Sequence, residues 1–227
     1  MADARGKWRV VEDVSFAFEA GRLYSIIGPS GSGKTSLLRL LNRLDEASGG
    51  SVVFEGRNIH EWEPWTLRRQ IGFLFQTPHL FAGTVGDSIR FADEQMSPEQ
   101  VKLCADRVRL RHDLIDAPVD NLSLGEQQRV ALARLLATEP KVALLDEPTS
   151  ALDPANTEAI ERLISHLVSE HGITVIMVSH SPQQVMRLGG QALLMTEGRL
   201  VEHGPAGDLI SNPQTEAGRR YVNGEFA

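Results

Sequence analysis

One octapeptide, Gly28-Pro29-Ser30-Gly31-Ser32-Gly33-Lys34-Thr35, constrains this 227-residue chain more than any other part of it. It stands between a short apolar run, Leu23 to Ile27, and a helical pattern that puts Leu37, Leu38, Leu41 and Leu44 on one face. The spacing G-x-x-x-x-G-K-[ST], entered from a strand and left by a helix, is that of a phosphate-binding loop. The glycines let successive backbone N–H groups turn inward around a β-phosphate. Lys34 reaches the β- and γ-phosphates, and the Thr35 hydroxyl is placed to ligate Mg²⁺. Every residue from Gly28 to Thr35 is thus a candidate nucleotide contact, Thr35 also a metal ligand and Lys34 also catalytic. A glycine-rich turn that merely joins strand to helix is the blander account, and it leaves the lysine and threonine unexplained.

The rest of the chain supplies the frame such a loop needs. Apolar runs at Leu23–Ile27, Ile71–Phe75, Val142–Leu145 and Thr174–Val178 read as buried strands. Helical patterns separate several of them, one running through Ile160, Leu163, Ile164, Leu167 and Val168 to Gly172. Alternation of this kind implies an α/β fold with a largely parallel sheet, here a P-loop NTPase (RecA-like) core. Shorter pieces, Val10–Phe18, Ser51–Phe54 and Leu193–Met195 with Arg199–Val201, read as an antiparallel β edge. Beyond Thr77 the β-branched runs vanish, and Ser97-Pro98-Glu99-Gln100 supplies an N-cap, a proline at the first helical position and a capping-box glutamine. The expected organisation is a single domain over 1–227. Its core comprises 1–76 and 138–227, and its inserted helical lobe is 77–137.

Composition narrows the function. A formal charge of −7 argues against a basic groove for nucleic acid. The single cysteine, Cys104, cannot form an internal disulfide, which suits a reducing compartment. No apolar stretch approaches the roughly 20 residues that span a bilayer, and the opening MADARGKWRV lacks the apolar region of a secretory signal. A membrane role would need a membrane-embedded partner.

Strand ends carry the candidate chemistry, because ligands of parallel α/β sheets bind at the carboxyl ends of the strands. Asp146 and Glu147 end the run KVALLDE: Asp146 is placed to hold Mg²⁺, and Glu147 to polarise a water for attack on the γ-phosphate. Gln76 and His180 end two further runs. A second anion site is expected at Leu122-Ser123-Leu124-Gly125-Glu126, where a polar turn enters a strong helical pattern.

Taken together and in this order, these motifs resemble the ATP-binding subunits of ABC (ATP-binding cassette) transporters, from about Val10 to Pro205. The correspondence comprises the phosphate loop, a Q-loop at Gln76, the signature at Leu122–Glu126, the acidic strand end, the D-loop Ser150–Asp153 and the switch histidine His180. The resemblance implies ATP and Mg²⁺ as cofactors and Glu147 as general base. It places His180 against the γ-phosphate and attacking water, and makes Gln76 a magnesium contact that links core to lobe. It also implies that two ATPase subunits pack head to tail, most simply as a homodimer. Ser123 and Gly125 would then face a γ-phosphate held by the partner. A separate transmembrane permease would hold the pair at the cytoplasmic face of the membrane, with His79, Leu80 and Phe81 in the docking surface.

Two positions depart from the family pattern. The usual L-S-G-G-Q reads Leu122-Ser123-Leu124-Gly125-Glu126, and the aromatic that stacks adenine is replaced in register by Arg5, with Trp8 the nearest aromatic and a candidate adenine contact. The stretch QTP-x-LF resembles small stand-alone subunits of a putative bacterial iron or metal exporter, although phosphate importers carry a related stretch. The competing reading is a soluble ABC ATPase of DNA repair or translation. Such proteins carry long coiled-coil insertions or two ATPase domains in one chain, and this sequence has neither. A small-molecule P-loop kinase would need neither the signature nor His180, and a GTP switch protein would need an N-K-x-D motif that is missing here.

Overall fold

The computed structural model describes residues 10–225. In chain order they form β1 (Leu23–Ile27), α1 (Lys34–Leu41), β2 (Val53–Phe54), β3 (Arg57–Asn58), α2 (Pro64–Gln70), β4 (Ile71–Leu74), α3 (Val85–Arg90), α4 (Pro98–Arg107), α5 (Leu124–Leu136), β5 (Val142–Asp146), α6 (Pro154–Ser169), β6 (Thr174–Val178), α7 (Pro182–Leu188), β7 (Gln191–Thr196), β8 (Arg199–Pro205), α8 (Ala206–Ser211) and α9 (Glu216–Val222). The main sheet has the order β4-β5-β6-β1-β7-β8, parallel from β4 through β7.

Successive strand side chains point to opposite faces, and both faces are covered, so the strands read as unbroken apolar runs. Val175 and Met177 of β6 join Ala143 and Leu145 of β5 in one core with Ile160, Leu163 and Ile164 of α6. Their neighbours Ile176, Val178 and Leu144 join Tyr24, Ile26 and the α1 residues Leu37 and Leu38 in a second. Each fully buried aliphatic side chain contributes about 1.5–3 kcal/mol.

The helices between β4 and β5 continue the first of these cores, which runs through Val85, Ile89, Val101 and Val130. At the start of α4 the expected cap is present: Ser97 Oγ accepts from Gln100 N, and Ser97 N donates to Gln100 Oε1 at 2.7 Å. Helix α5 lies against α3, α4 and β4. Its approach to the sheet requires Gly72, where an added Cβ would stand 2.9 Å from Leu135 Cγ.

Several local expectations change. Among the described residues Val10–Phe18 pairs in no strand; Asp13 turns to φ 51°, which breaks an extended run, and Val11, Val14, Phe16 and Phe18 instead pack against the second core. Leu193–Met195 does pair antiparallel with the strand that holds Arg199–Val201, as β7 and β8, but it is also parallel to β1 and buried, so only β8 is an edge strand. Of Ser51–Phe54, only Val53 and Phe54 pair, in a separate two-stranded ribbon whose turn residues Glu55 (φ 51°) and Gly56 (φ 75°) have the positive angles of a tight hairpin. Helix α1 ends at Leu41, and Leu44 falls beyond the turn made by Arg43 at φ 56°.

Candidate active site

Parallel pairing brings the loops after β4, β5, β6 and β1 to one end of the sheet. The octapeptide fills the loop after β1. Gly28 takes φ 146° and Gly33 φ 96°, and at each a side chain would strike backbone: an added Cβ would lie 2.0 Å from the Met195 carbonyl oxygen and 2.4 Å from that of Val10. The Thr196–Gly198 turn between β7 and β8 backs the loop, Gly198 N donating to Ser32 O at 3.0 Å. That support was not foreseen, since Glu197-Gly198 reads as a turn without showing what the turn touches.

Lys34 is 5% exposed, and its ammonium donates to the carbonyls of Gly28 (2.9 Å) and Pro29 (2.8 Å). Burial lowers its pKa, opposed by the Glu147 and Asp146 carboxylates. Ser32 Oγ is buried and has no hydrogen-bond partner among the described residues. An orphaned hydroxyl, a buried cation and positive-φ glycines fit a polyphosphate.

Thr35 Oγ1 donates to Asp146 Oδ1 at 2.8 Å. Burial pushes the Asp146 carboxyl up, partly offset by the Thr35 hydrogen bond. One hydroxyl and one carboxylate fit Mg²⁺, which keeps waters and phosphate oxygens for the rest of its octahedral shell. Glu147, with φ 47°, is turned out of the strand line toward two further strand ends. Gln76 Nε2 donates to Glu147 Oε2 at 2.9 Å, and His180 Nε2 lies 2.5 Å from Glu147 Oε1. Lys34, Thr35, Gln76, Asp146, Glu147 and His180 are therefore drawn together at or beyond the carboxyl ends of four strands, β1, β4, β5 and β6.

Ser123 and Gly125 are elsewhere: among the described residues no hydrogen bond joins them to the phosphate loop. Ser123 caps α5, and Glu126 closes a capping box, its Oε2 accepting from Ser123 N (2.9 Å) and Ser123 Oγ (2.7 Å). Gly125 packs on α6, where an added Cβ would meet Asn156 Cγ at 2.9 Å. This box was not anticipated from the sequence, although Ser-x-x-Glu spells it. The Ser123 side-chain and backbone hydrogen bonds hold the Glu126 carboxyl below the usual carboxylate range. Its folded pKa is thus depressed, so its contribution is present above the unfolded value and lost as pH falls through the folded one. Glu126→Ala is expected to cost about 1 kcal/mol, or about 2–4 °C of Tm. Thermal denaturation checks this, with the difference from wild type shrinking in acid.

The expected docking residues divide. His79 and Phe81 are exposed and Leu80 turns inward against the first core; Phe81, 48% exposed, stacks on Phe91, 62% exposed, with ring centres 4.0 Å apart. The Arg134 guanidinium lies 5.2 Å from the Phe81 ring centre. Trp8, the candidate adenine contact, and Arg5 lie outside the described residues.

A family model described as ABC transporter matches residues 11–150. The chain belongs to the ABC transporter family. Protein STAR1 of Oryza sativa subsp. japonica is 40% identical over 225 residues, an alignment that covers 97% of this chain. The chain spans only 64% of that relative's length. Among solved structures, cbiO1 from Clostridium perfringens, described as part of the ABC transporter complex cbiONQ, is 30% identical with a TM-score of 0.84 over 92% of this chain and 87% of its own. The ATP-binding cassette MJ0796, solved as a dimer in a post-hydrolysis state with ADP and Pi, is 29% identical with a TM-score of 0.78, covering 87% of this chain and 90% of its own. The P-loop NTPase fold with its parallel sheet is that of an ABC cassette.

Proposed function

We propose that this chain is the ATP-hydrolysing subunit of an ABC transporter, acting with a second ATPase subunit, most simply a copy of itself, and a separate membrane-spanning permease. The observation that carries the reading is the convergence of Gln76 and His180 on Glu147, beside the Thr35–Asp146 pair and Lys34.

Each side chain has a task in that arrangement. Lys34 exchanges its carbonyl partners for β- and γ-phosphate oxygens. Thr35, Asp146 and Gln76 would hold Mg²⁺, which when bound neutralises charge developing on the phosphates. Glu147 accepts the proton of the attacking water, with a general-base contribution of about 10²–10⁴ in rate. His180 holds Glu147 on one side and faces the water and γ-phosphate on the other.

Ser123 and the N–H groups near Gly125 complete the site across the subunit interface. The Ser123 hydroxyl donates to Glu126 here, so it must rotate away from that carboxylate to meet a phosphate. The dimeric state of the MJ0796 cassette supports head-to-tail pairing. Residues 77–137 act as a lobe against the core formed by 1–76 and 138–227, and the exposed Phe81–Phe91 stack suits a helix of the permease. Among the described residues no helix is long and apolar enough to cross a membrane. Docked on the permease, the subunit would be peripheral at the cytoplasmic face, and solute choice would reside in the permease. A soluble ABC ATPase of DNA repair or translation is not favoured by these relatives.

The test is phosphate release from ATP by the purified chain with no acceptor added. The expected rate requires Mg²⁺, rises more steeply than linearly with protein concentration, and falls with Ser123→Arg. Release that is linear in protein and indifferent to Ser123 would contradict the paired site.

A further inference from the structure

A buried polar network behind the site has no part in the scheme above. Its centre is Gln184 of α7, 4% exposed. Gln184 Oε1 accepts from Ser179 Oγ at 2.7 Å, while Gln184 Nε2 donates to Thr149 Oγ1 at 2.8 Å and to Glu161 Oε1 at 3.1 Å. The orientation of the amide is dictated by its neighbours. The Glu161 carboxylate can only accept, so it requires the NH₂ group; Ser179 Oγ already accepts from Ser181 N at 3.1 Å, which leaves its proton for the amide oxygen. Glu161, 6% exposed, is held in turn by Arg187, whose Nε and Nη2 lie 3.0 and 2.6 Å from its two oxygens.

Two of these partners adjoin the reacting pair. Ser179 immediately precedes His180, and Thr149 lies in the turn that begins at Glu147, where Ser150 N donates to Glu147 O at 3.2 Å. One side-chain amide therefore ties the loop that carries Glu147 to the loop that carries His180, and anchors both on α6. No other residue type serves as well. Glutamate would set a second carboxylate against Glu161, leucine would leave the buried Ser179 hydroxyl no acceptor for its proton and Thr149 Oγ1 without its amide donor, and asparagine is too short to reach all three.

We infer that Gln184 is a positioning residue for ATP hydrolysis, fixing the contact between His180 and Glu147 while touching no substrate. The inference rests on the reading of Glu147 and His180 given above. An error of about 1 Å in a catalytic contact costs about 10²-fold in rate. The phosphate loop lies outside the network, so ATP affinity is spared.

The experiment is steady-state phosphate release by Gln184→Leu in the wild-type and His180→Ala backgrounds, with Tm measured alongside. The expected result is a kcat lower by about 10–100-fold with KM for ATP within about twofold, and less than about a twofold further loss once His180 is absent. An unchanged kcat overturns the inference. So does an equal fractional loss in both backgrounds, which would mark a role independent of His180. Thr149→Val, which deletes one hydroxyl link and keeps the shape, carries the same test if Gln184→Leu does not fold. A wild-type chain that releases no phosphate would overturn the ATPase reading and this inference together; an active wild type with an indifferent Gln184 overturns the inference alone.

Discussion

Glu147→Gln is expected to bind Mg·ATP with near wild-type affinity and to release phosphate about 10²–10⁴ times more slowly. The amide keeps the shape of the carboxylate, so the contacts that Gln76 and His180 make with Oε2 and Oε1 retain a partner, with the histidine tautomer adjusting. What disappears is the capacity to take a proton from water. The phosphate loop, the buried Lys34 and the Thr35–Asp146 pair are untouched, and these are the groups assigned to binding. Phosphate release and ATP affinity, measured on the same preparation, separate the two effects. Hydrolysis at the wild-type rate would remove Glu147 from the role of base and pass it to His180 or to the substrate's own phosphate.

Lys34→Ala is expected to act on binding instead. Lys34 is a buried cation beside two carboxylates, Asp146 at 5% exposed and Glu147 at 15% of its side chain. Removing it deletes the bonds that tie its ammonium to the Gly28 and Pro29 carbonyls, and takes away a positive charge that acts on both carboxylates. Truncating one member of a buried charged set costs about 2–5 kcal/mol, which puts the loss of ATP affinity between about 30-fold and about 4,000-fold. The Asp146 carboxyl, already pushed up by burial, rises further without the cation. ATP titration by calorimetry checks the affinity, and a Tm near that of wild type shows that the loss belongs to the site. Affinity within about threefold of wild type would mean that the backbone cradle alone holds the phosphates.

Much of the site was legible because its chemistry is written locally. The octapeptide specifies its own turn, and Asp146-Glu147, Gln76 and His180 each close an apolar run, so a parallel sheet had to carry them to one end. The elements misread from sequence are those whose partners lie far away in the chain. Leu193–Met195 was assigned to an edge, and its antiparallel partner was right, but β1 lies on its other side, so β7 is buried between β1 and β8. Val10–Phe18 alternates like a strand, yet the left-handed Asp13 turns its apolar side chains into packing without a ladder. Gln184 offered no signal: a polar residue in the first turn of a short helix reads as solvent-facing until Ser179, Thr149 and Glu161 are folded around it.

The measurement that bears most directly on ATP-driven pairing is the mass of Glu147→Gln in solution by sedimentation, with and without saturating Mg·ATP. The account predicts a monomer without nucleotide and a dimer with it, and no dimer when Ser123→Arg is added to the same chain. A Glu147→Gln chain that stays monomeric at saturating ATP, or one that pairs regardless of nucleotide and of Ser123, would contradict it.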